Sequence, residues 1–275
     1  MQLLHSATRN YSWGSRTLIP HLQGQPDSDK PVAELWFGAH PGDPSTVDGR
    51  LLNEVIAEDP AGQLGGRVSA EYGERLPFLL KVLAAEEPLS LQAHPSKAQA
   101  EEGFARENAA GIELTASNRN YKDDNHKPEL IVALTDFYAM AGFRPLARTR
   151  ELFAALECPE LDHYVAMLDD DPSATTESAN LRVLFTTWIT IPSAKRKELI
   201  SAIVAAGERL IAADPADWKS RVMSTVLDLN QRYPGDIGVL GALLLNHIEL
   251  SPGEAVYLDA GQLHAYVSGL GVEIM

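Results

Sequence analysis

The spacing of apolar residues changes twice along this chain, and that change most limits how the chain can fold. From Pro31 to Pro145, short apolar runs alternate with turn residues, a pattern with a period near two that is typical of β-strands. Between Leu146 and Gln231 the period lengthens toward 3.6, which predicts helices, and strand character returns beyond this stretch. We therefore predict a mixed β and α fold: a β domain of residues 1–145 and 234–275, with a helical domain of residues 146–233 inserted in it or beside it.

Capping residues and loop composition predict where individual helices begin and end. Ser96 is a candidate N-cap for the helix that follows it, and Ser193 is another. Asp214 precedes a proline, which suits the first position of a helix, so we predict that a third helix begins there. The acidic segment 169–180 is predicted to be an exposed loop between helices.

The charge balance restricts the partners of the protein. Of 275 residues, 23 are Lys or Arg and 38 are Asp or Glu, and the resulting net charge of -15 disfavours nucleic acids and anionic membranes. The first residues lack a signal-peptide pattern, no apolar run is long enough to span a bilayer, and the single cysteine, Cys158, cannot form an internal disulfide. We predict a cytoplasmic protein, a monomer in preference to an oligomer, whose anionic ligands need a local basic pocket.

Three polar residues in apolar surroundings are candidates for binding a cation. Gln92 and His94 lie two apart on a predicted strand, so their side chains leave the same face with Cα atoms about 6.7 Å apart. Glu129 shares a predicted strand face with Ile131 and Ala133, where a carboxylate needs a partner. Commoner explanations are a hydrogen-bonded sheet edge for the first pair and an ion pair with Lys or Arg for Glu129.

A fourth candidate ligand lies near the end of the chain. Residues 253–264 have the spacing G-x5-D-x-G-x2-H, which resembles the second motif of the cupin β-barrel family, with Asp259 in place of the usual Pro. The two glycines suit tight turns, and His264 and Tyr266 share one face of the strand that follows. In cupins this histidine is a metal ligand, so the resemblance implies that role for His264.

Taken together, five blocks of sequence resemble the type I mannose-6-phosphate isomerases of the cupin superfamily. They occur in the family's order across residues 10–275, with the helical insertion at the family's position. The resemblance implies a cupin-type β-barrel (jelly roll) with an inserted all-helical domain. The blocks are NYSWG (10–14), ELWFGAHP (34–41), LSLQAHP (89–95), NHKPE (125–129) and LHAY (263–266).

The resemblance also implies a cofactor and a reaction. The reaction is the reversible interconversion of mannose 6-phosphate and fructose 6-phosphate through a cis-enediol, and the cofactor is one zinc ion per chain. Because only one of the implied ligands is anionic, the ion and its ligands keep a net charge of about +1, enough to polarise a hydroxyl or carbonyl. The implied ligands are Gln92, His94, Glu129 and His264.

Five further residues are implied to face the sugar phosphate. Lys81, Ser90 and Lys127 would bind it, and Lys127, Tyr266 and Glu273 are the candidates for proton transfer, with the identity of the base left open. For Lys81 and Lys127, both predicted in apolar strands, we expect a phosphate or carboxylate partner, since an unpaired buried ammonium is costly. The alternatives are space filling for Ser90 and a structural ion pair for Glu273.

The family continues past the position of Met275 through a segment with an arginine assigned to substrate and catalysis, so we expect the sequence to continue there. A competing interpretation is a catalytically silent zinc cupin that binds a sugar phosphate for regulation. A third, an iron-dependent cupin oxygenase, is disfavoured because Gln, Glu and two His differ from the usual triad of two His and one carboxylate.

Overall fold

A computed structural model of the protein describes residues 2–168 and 174–275. The chain divides into two compact units, the first formed by Met1–Ala139 with Ile248–Met275 and the second by Met140–His247. The second unit extends beyond the predicted helical domain of residues 146–233 at both ends, because strands lead into and out of its helices.

The first unit begins with strands joined by short helices and loops. Its core includes a cluster of Ile19, Leu35, Ala84 and Leu270. The elements are β1 (Leu4–His5), β2 (Ala7–Arg9), α1 (Leu18–Leu22), β3 (Glu34–Gly38), β4 (Thr46–Val47), β5 (Arg50–Leu51), α2 (Leu52–Glu58), α3 (Pro60–Leu64), α4 (Gly66–Tyr72), β6 (Leu79–Ala85), α5 (Lys97–Ala109) and β7 (Glu129–Ala133).

The rest of the chain passes through the helices and returns to the sheet. The large side chains of Leu152, Trp188 and Ile203 are fully buried in the second unit, as the 3.6-residue period requires of helices with one apolar face. The elements are β8 (Phe137–Phe143), α6 (Leu146–Leu156), α7 (Pro159–Val165), α8 (Ala174–Thr190), α9 (Ser193–Ala213), α10 (Trp218–Arg232), α11 (Ile237–Ala242), β9 (Leu245–Leu250), β10 (Ala255–Leu258) and β11 (His264–Ile274).

The larger sheet places the candidate residues in register. Its main path is β10-β7-β11-β6-β3-β2, with β8 pairing with β11 and β9, and a separate three-stranded sheet has the order β1-β4-β5. Neighbouring strands along the main path are antiparallel. Across four strands, Trp36 on β3 lies opposite Lys81, Lys81 opposite Glu273, and Glu273 opposite Ile131. Side chains directly opposite one another share a face of the sheet, so this row projects to one side.

The predicted fold class is confirmed in its mixed β and α content and its antiparallel strands, but the barrel is confirmed only in part. Within the described residues, the strand pairing follows an open path whose ends, β10 and β2, are not paired with each other. The prediction that Pro31 to Pro145 is mostly strand also missed α2, α3 and α4, short helices with a single buried residue, Ile56, among them. Because these helices bury so few apolar side chains, their sequences show no clear 3.6-residue spacing of apolar residues.

Of the three helix caps predicted from the sequence, one is confirmed and two are wrong. Ser96 caps α5, as predicted, and forms a reciprocal capping box with Gln99. Ser193 is instead the first residue of α9, and α10 is capped by Asp217, whose side chain accepts from Lys219 N. Of the predicted loop 169–180, residues 169–173 lie outside the described residues, and residues 174–180 belong to α8, so the loop prediction is wrong there.

A helix that crosses a bilayer must be both long and apolar. In the part of the chain that the structure describes, none of the helices combines the two properties.

Candidate metal centre and active site

Three predicted ligands converge on one point in the first unit. Glu129 is the first residue of β7, His264 is the first residue of β11, and His94 lies in the loop between β6 and α5. The Nε2 atoms of His94 and His264 are each 3.0 Å from a different carboxylate oxygen of Glu129. One ligand atom from each residue lies within 4.8 Å of the other two, a spacing on which a single metal ion can be held.

The electrostatics of these three residues favour a carboxylate that stays ionised. Burial opposes the charge of Glu129, but its close contacts with the imidazoles of His264 and His94 outweigh it and lower its pKa to about 2. Burial also opposes a charge on His264, whereas its hydrogen bond to Glu129 prevails and raises its pKa. The alternative for Glu129 was an ion pair with Lys or Arg. The structure instead places two histidines next to its carboxylate oxygens.

The donor set suits zinc. Two imidazole nitrogens and one carboxylate are typical ligands of that ion, and they leave a coordination position open for another ligand or a substrate. The Nδ1 atom of His264 lies 2.9 Å from the carbonyl oxygen of Gln262, and a bond donated there directs Nε2 toward Glu129. The ring therefore presents the nitrogen that a metal would bind.

Gln92 lies beside this cluster, although not on the predicted strand. The stretch containing Gln92 and His94 forms no regular strand, and Gln92 makes only an isolated antiparallel bridge to His264. Proline at position 95 removes a backbone donor that a longer strand would need. The bridge puts the Gln92 side chain on the same face as that of His264, while its role as a ligand stays a prediction.

Lys81 and Glu273 form a buried ion pair in the middle of the sheet. Lys81 Nζ donates to Glu273 Oε2 at 2.8 Å, and Glu34 Oε1 lies 3.8 Å from the same nitrogen. Burial opposes the ammonium charge, but the Glu273 and Glu34 carboxylates outweigh it and raise the pKa of Lys81. The expected carboxylate partner of this lysine is therefore present.

Tyr266 connects the two groups. Its hydroxyl donates to Glu129 Oε2 at 3.3 Å, and the charge of Glu273 acts on it as well. Burial, together with these two carboxylates, holds the pKa of Tyr266 far above its usual value. The phenol is consequently a proton donor rather than an anion near neutral pH.

The two remaining predicted residues, Lys127 and Ser90, lie in loops. Lys127 precedes β7 by two residues rather than lying in the strand as predicted, and its Nζ donates to both carboxylate oxygens of Asp123 at 2.7 and 2.8 Å. Its side chain is about one third exposed, so solvent and ligands reach it. Ser90 is exposed in the loop after β6, so the alternative that it only fills space inside a strand is wrong.

Two carboxylates in this region were missed from the sequence. Asp123 lies in a polar loop, where no pattern distinguishes it from its neighbours. Glu34 is buried in β3, and the argument applied to Glu129, a carboxylate within an apolar strand, would have found it.

The match to a family decides the assignment. Residues 1–146 match the model described as "Phosphomannose isomerase type I, catalytic domain". This chain belongs to the type I phosphomannose isomerases. The family match agrees with the resemblance seen in the five sequence blocks.

The relatives of this phosphomannose isomerase include proteins of Escherichia coli and of Arabidopsis thaliana. Mannose-6-phosphate isomerase of Escherichia coli (strain K12) is 39% identical over 283 residues, which cover 100% of this chain and 68% of that protein. Mannose-6-phosphate isomerase 1 of Arabidopsis thaliana is 33% identical over 296 residues, which cover 100% of this chain and 65% of that protein.

Solved structures agree with the family match. The crystal structure of mannose 6-phosphate isomerase from Salmonella typhimurium bound to substrate and zinc has a TM-score of 0.86 and 36% identity, and the match covers 100% of this chain and 68% of that one. A mannose 6-phosphate isomerase bound with zinc and yttrium has a TM-score of 0.86 at 37% identity, with 100% of this chain and 67% of that one covered.

Proposed function

We propose that this type I phosphomannose isomerase is a zinc-dependent aldose–ketose isomerase that interconverts mannose 6-phosphate and fructose 6-phosphate through a cis-enediol. The observation that carries the proposal is the convergence of His94, Glu129 and His264 on one point beside a buried Lys81–Glu273 pair. Such an isomerase needs an electrophile next to groups that move a proton. Both kinds of group lie within one small region of the first unit.

The metal centre is proposed to hold one zinc ion through His94, Glu129 and His264, with Gln92 as the fourth protein ligand. A zinc ion held there would supply positive charge to polarise a substrate oxygen and stabilise negative charge on it. With Glu129 as the single anionic ligand, the ion and its ligands would keep a net charge of about +1. Thiolate ligands would have reduced it, and Cys158 lies in the other unit.

Proton transfer between C1 and C2 of the sugar is assigned to residues around this centre. The candidates are Lys127, Glu273 and Tyr266. Glu273 is a carboxylate held beside a cation, which is the form that accepts a proton, while Tyr266 is a protonated donor. Lys127, with one carboxylate partner and partial exposure, is the candidate that solvent and substrate reach most directly.

Substrate binding is assigned to Lys81, Ser90 and Lys127. The protein has a net charge of -15, so a sugar phosphate dianion is repelled at long range and needs nearby cations. An ammonium and a hydroxyl both donate hydrogen bonds to phosphate oxygens. We further propose a cytoplasmic, monomeric protein with no nucleic-acid or membrane partner.

A coupled assay tests this function directly. Zinc-loaded protein is mixed with mannose 6-phosphate, and the fructose 6-phosphate formed is measured through a linked enzyme. Protein from which a chelator has removed the zinc, and the same protein reloaded with zinc, are the matched controls. We expect turnover that chelation abolishes and zinc restores. Tight binding of the sugar phosphate without turnover would support the regulatory cupin instead, and neither binding nor turnover would refute both.

A further inference from the structure

Lys81 lies between two buried carboxylates that come from different strands. Glu273, on β11, is 2.8 Å from Lys81 Nζ, and Glu34, on β3, is 3.8 Å from it. The side chains of Lys81, Glu34 and Glu273 are 11%, 7% and 2% exposed, so water screens none of them well. A buried ammonium is stabilised only by nearby acceptors, so both carboxylates determine where it points.

Glu34 is itself held in place. Trp36 Nε1 donates to Glu34 Oε2 at 2.7 Å, and the other carboxylate oxygen faces Lys81. Trp36 lies opposite Lys81 in the register of β3 and β6, and the Arg9 guanidinium carbon is 5.1 Å from the centroid of its ring. A carboxylate bonded to a packed indole has little freedom to turn away from the ammonium.

Glu273 depends on the position of Lys81. Glu273 is 1% exposed and lies directly opposite Lys81 in the register of β11 and β6. If the ammonium moved away, the carboxylate would be left buried without its cation, which is costly. Tyr266, which donates to Glu129 and feels the charge of Glu273, would then have a displaced carboxylate beside it.

We propose that Glu34 is a positioning residue that holds the Lys81 ammonium against Glu273. The kinetic consequence of this inference rests on the proposed isomerase function, whereas the placement of Lys81 is measurable without any activity. Glu34 acts through Lys81 and is not assigned a contact with the substrate.

The variant Glu34→Gln tests this role. Glutamine keeps the size of the side chain and an oxygen for the Trp36 N–H, but it removes the negative charge that faces Lys81. We expect unchanged zinc content, a kcat lower by roughly tenfold to a hundredfold, and a KM within about twofold of wild type. We also expect Lys81 to be acetylated faster by acetic anhydride, as followed by peptide mass spectrometry, while Lys127 is labelled at its usual rate.

A matched control removes the carboxylate that pairs with Arg9. Asp43 accepts from Arg9 Nη1 at 2.8 Å, so Asp43→Asn removes a neighbouring charge while leaving both partners of Lys81 in place. In this variant, the acetylation rate of Lys81 and the kcat should equal those of the wild type. A general response to lost charge in this region would alter both variants alike and would overturn the proposal.

A second variant decides the matter if Glu34→Gln does not fold, as judged by circular dichroism. Trp36→Phe removes the N–H that holds Glu34 but leaves the negative charge of Glu34 in place. It should therefore speed the labelling of Lys81 and lower kcat, each by less than Glu34→Gln does. Unchanged Lys81 labelling in the folded variants, or unchanged kcat in an active enzyme, overturns the proposal. Wild-type protein without isomerase activity would refute the proposed function, and the labelling rates alone would then decide the role of Glu34.

Discussion

Gln92 and His264 exchange both of their backbone hydrogen bonds: Gln92 N donates to His264 O at 2.8 Å, and His264 N donates to Gln92 O at 2.9 Å. In an antiparallel pair of this kind the Cα atoms are about 5.5 Å apart and the side chains lie on the same face. Two residues that are distant in sequence are thus fixed side by side by their backbones. The backbone therefore places Gln92, a predicted ligand, beside His264 without the help of an ion.

The first prediction concerns metal content. We expect about one zinc per chain, and we expect His94→Ala or His264→Ala to remove it, because each imidazole supplies a coordination bond that no neighbour replaces. Gln92→Ala should weaken zinc binding less, since a neutral amide oxygen is a weaker donor. Atomic absorption after dialysis against a dilute chelator measures all three.

An exposed histidine provides the control for that experiment. His21 pairs with Asp27 at the surface, with its side chain 59% exposed, so His21→Ala should keep its zinc. Full zinc occupancy in both the His94 and His264 variants would show that these residues are not the ligands.

The second prediction concerns phosphate recognition by Lys127. Lys127→Met removes a cation next to the proposed substrate site while keeping most of the side-chain volume, so KM should rise or kcat should fall with zinc content unchanged. Steady-state kinetics in the coupled assay measure the effect. Lys122→Met, which changes an exposed lysine in the same loop, is the matched control and should behave as wild type. Wild-type kinetics in the Lys127 variant would assign this residue a structural role only.

The third prediction is a pH dependence of stability that comes from His247. Burial, assisted by the charge of Arg144, lowers the pKa of His247 to about 4. A histidine in the unfolded chain has a pKa of about 6.5. Between pH ~4 and ~6.5, the unfolded state therefore binds a proton at this histidine more readily than the folded state does. The stabilising contribution is intact above pH ~6.5 and is lost as the pH falls toward 4, by about 3 kcal/mol at most.

Urea unfolding at pH 7 and pH 5 measures this dependence. His247→Gln keeps a neutral side chain with an N–H donor for the Ala242 carbonyl, which lies 3.1 Å from His247 Nε2, and it should reduce the loss of stability at pH 5. His163→Gln, at an exposed position of the same unit, should not. An equal loss at pH 5 in wild type and His247→Gln would contradict the assignment.

The fourth prediction contrasts a buried arginine with an exposed one. The Arg119 side chain is 0% exposed, and its Nε lies 3.1 Å from Glu107 Oε2, which also accepts from Tyr121 N at 2.9 Å. Arg119→Met should therefore reduce the free energy of unfolding by about 3 kcal/mol, because it leaves buried acceptors without their donor. Arg106→Met, which breaks an exposed contact with Glu102 at 3.8 Å, should change it by less than about 1 kcal/mol. Thermal denaturation of both variants measures the difference, and equal losses would show that the buried network adds no stability.

Much of the candidate site was predictable from the sequence because its chemistry is carried by residue type. His94, Glu129 and His264 are predicted to be ligands from the sequence alone, and the structure brings these three side chains together. Asp123 was not identified, since a carboxylate in a polar loop acquires its role from the group packed against it, whereas Glu34 was overlooked although it lies within an apolar strand. The strand predicted through Gln92 was wrong because pairing with a distant segment, and not local pattern, decides whether such a stretch joins a sheet.

The sequence by itself determined the class of the chain and some of its local elements: the change from strand to helix spacing, the Ser96 cap and the family blocks all depend on residues close together along the chain. Only the tertiary structure decided that Lys81 stands between Glu34 and Glu273, or that Lys127 pairs with Asp123 outside the strand. The physical reason is that strand register and burial are set by packing between distant segments. A buried charge has its energy, and so its function, determined by the partners that this packing supplies.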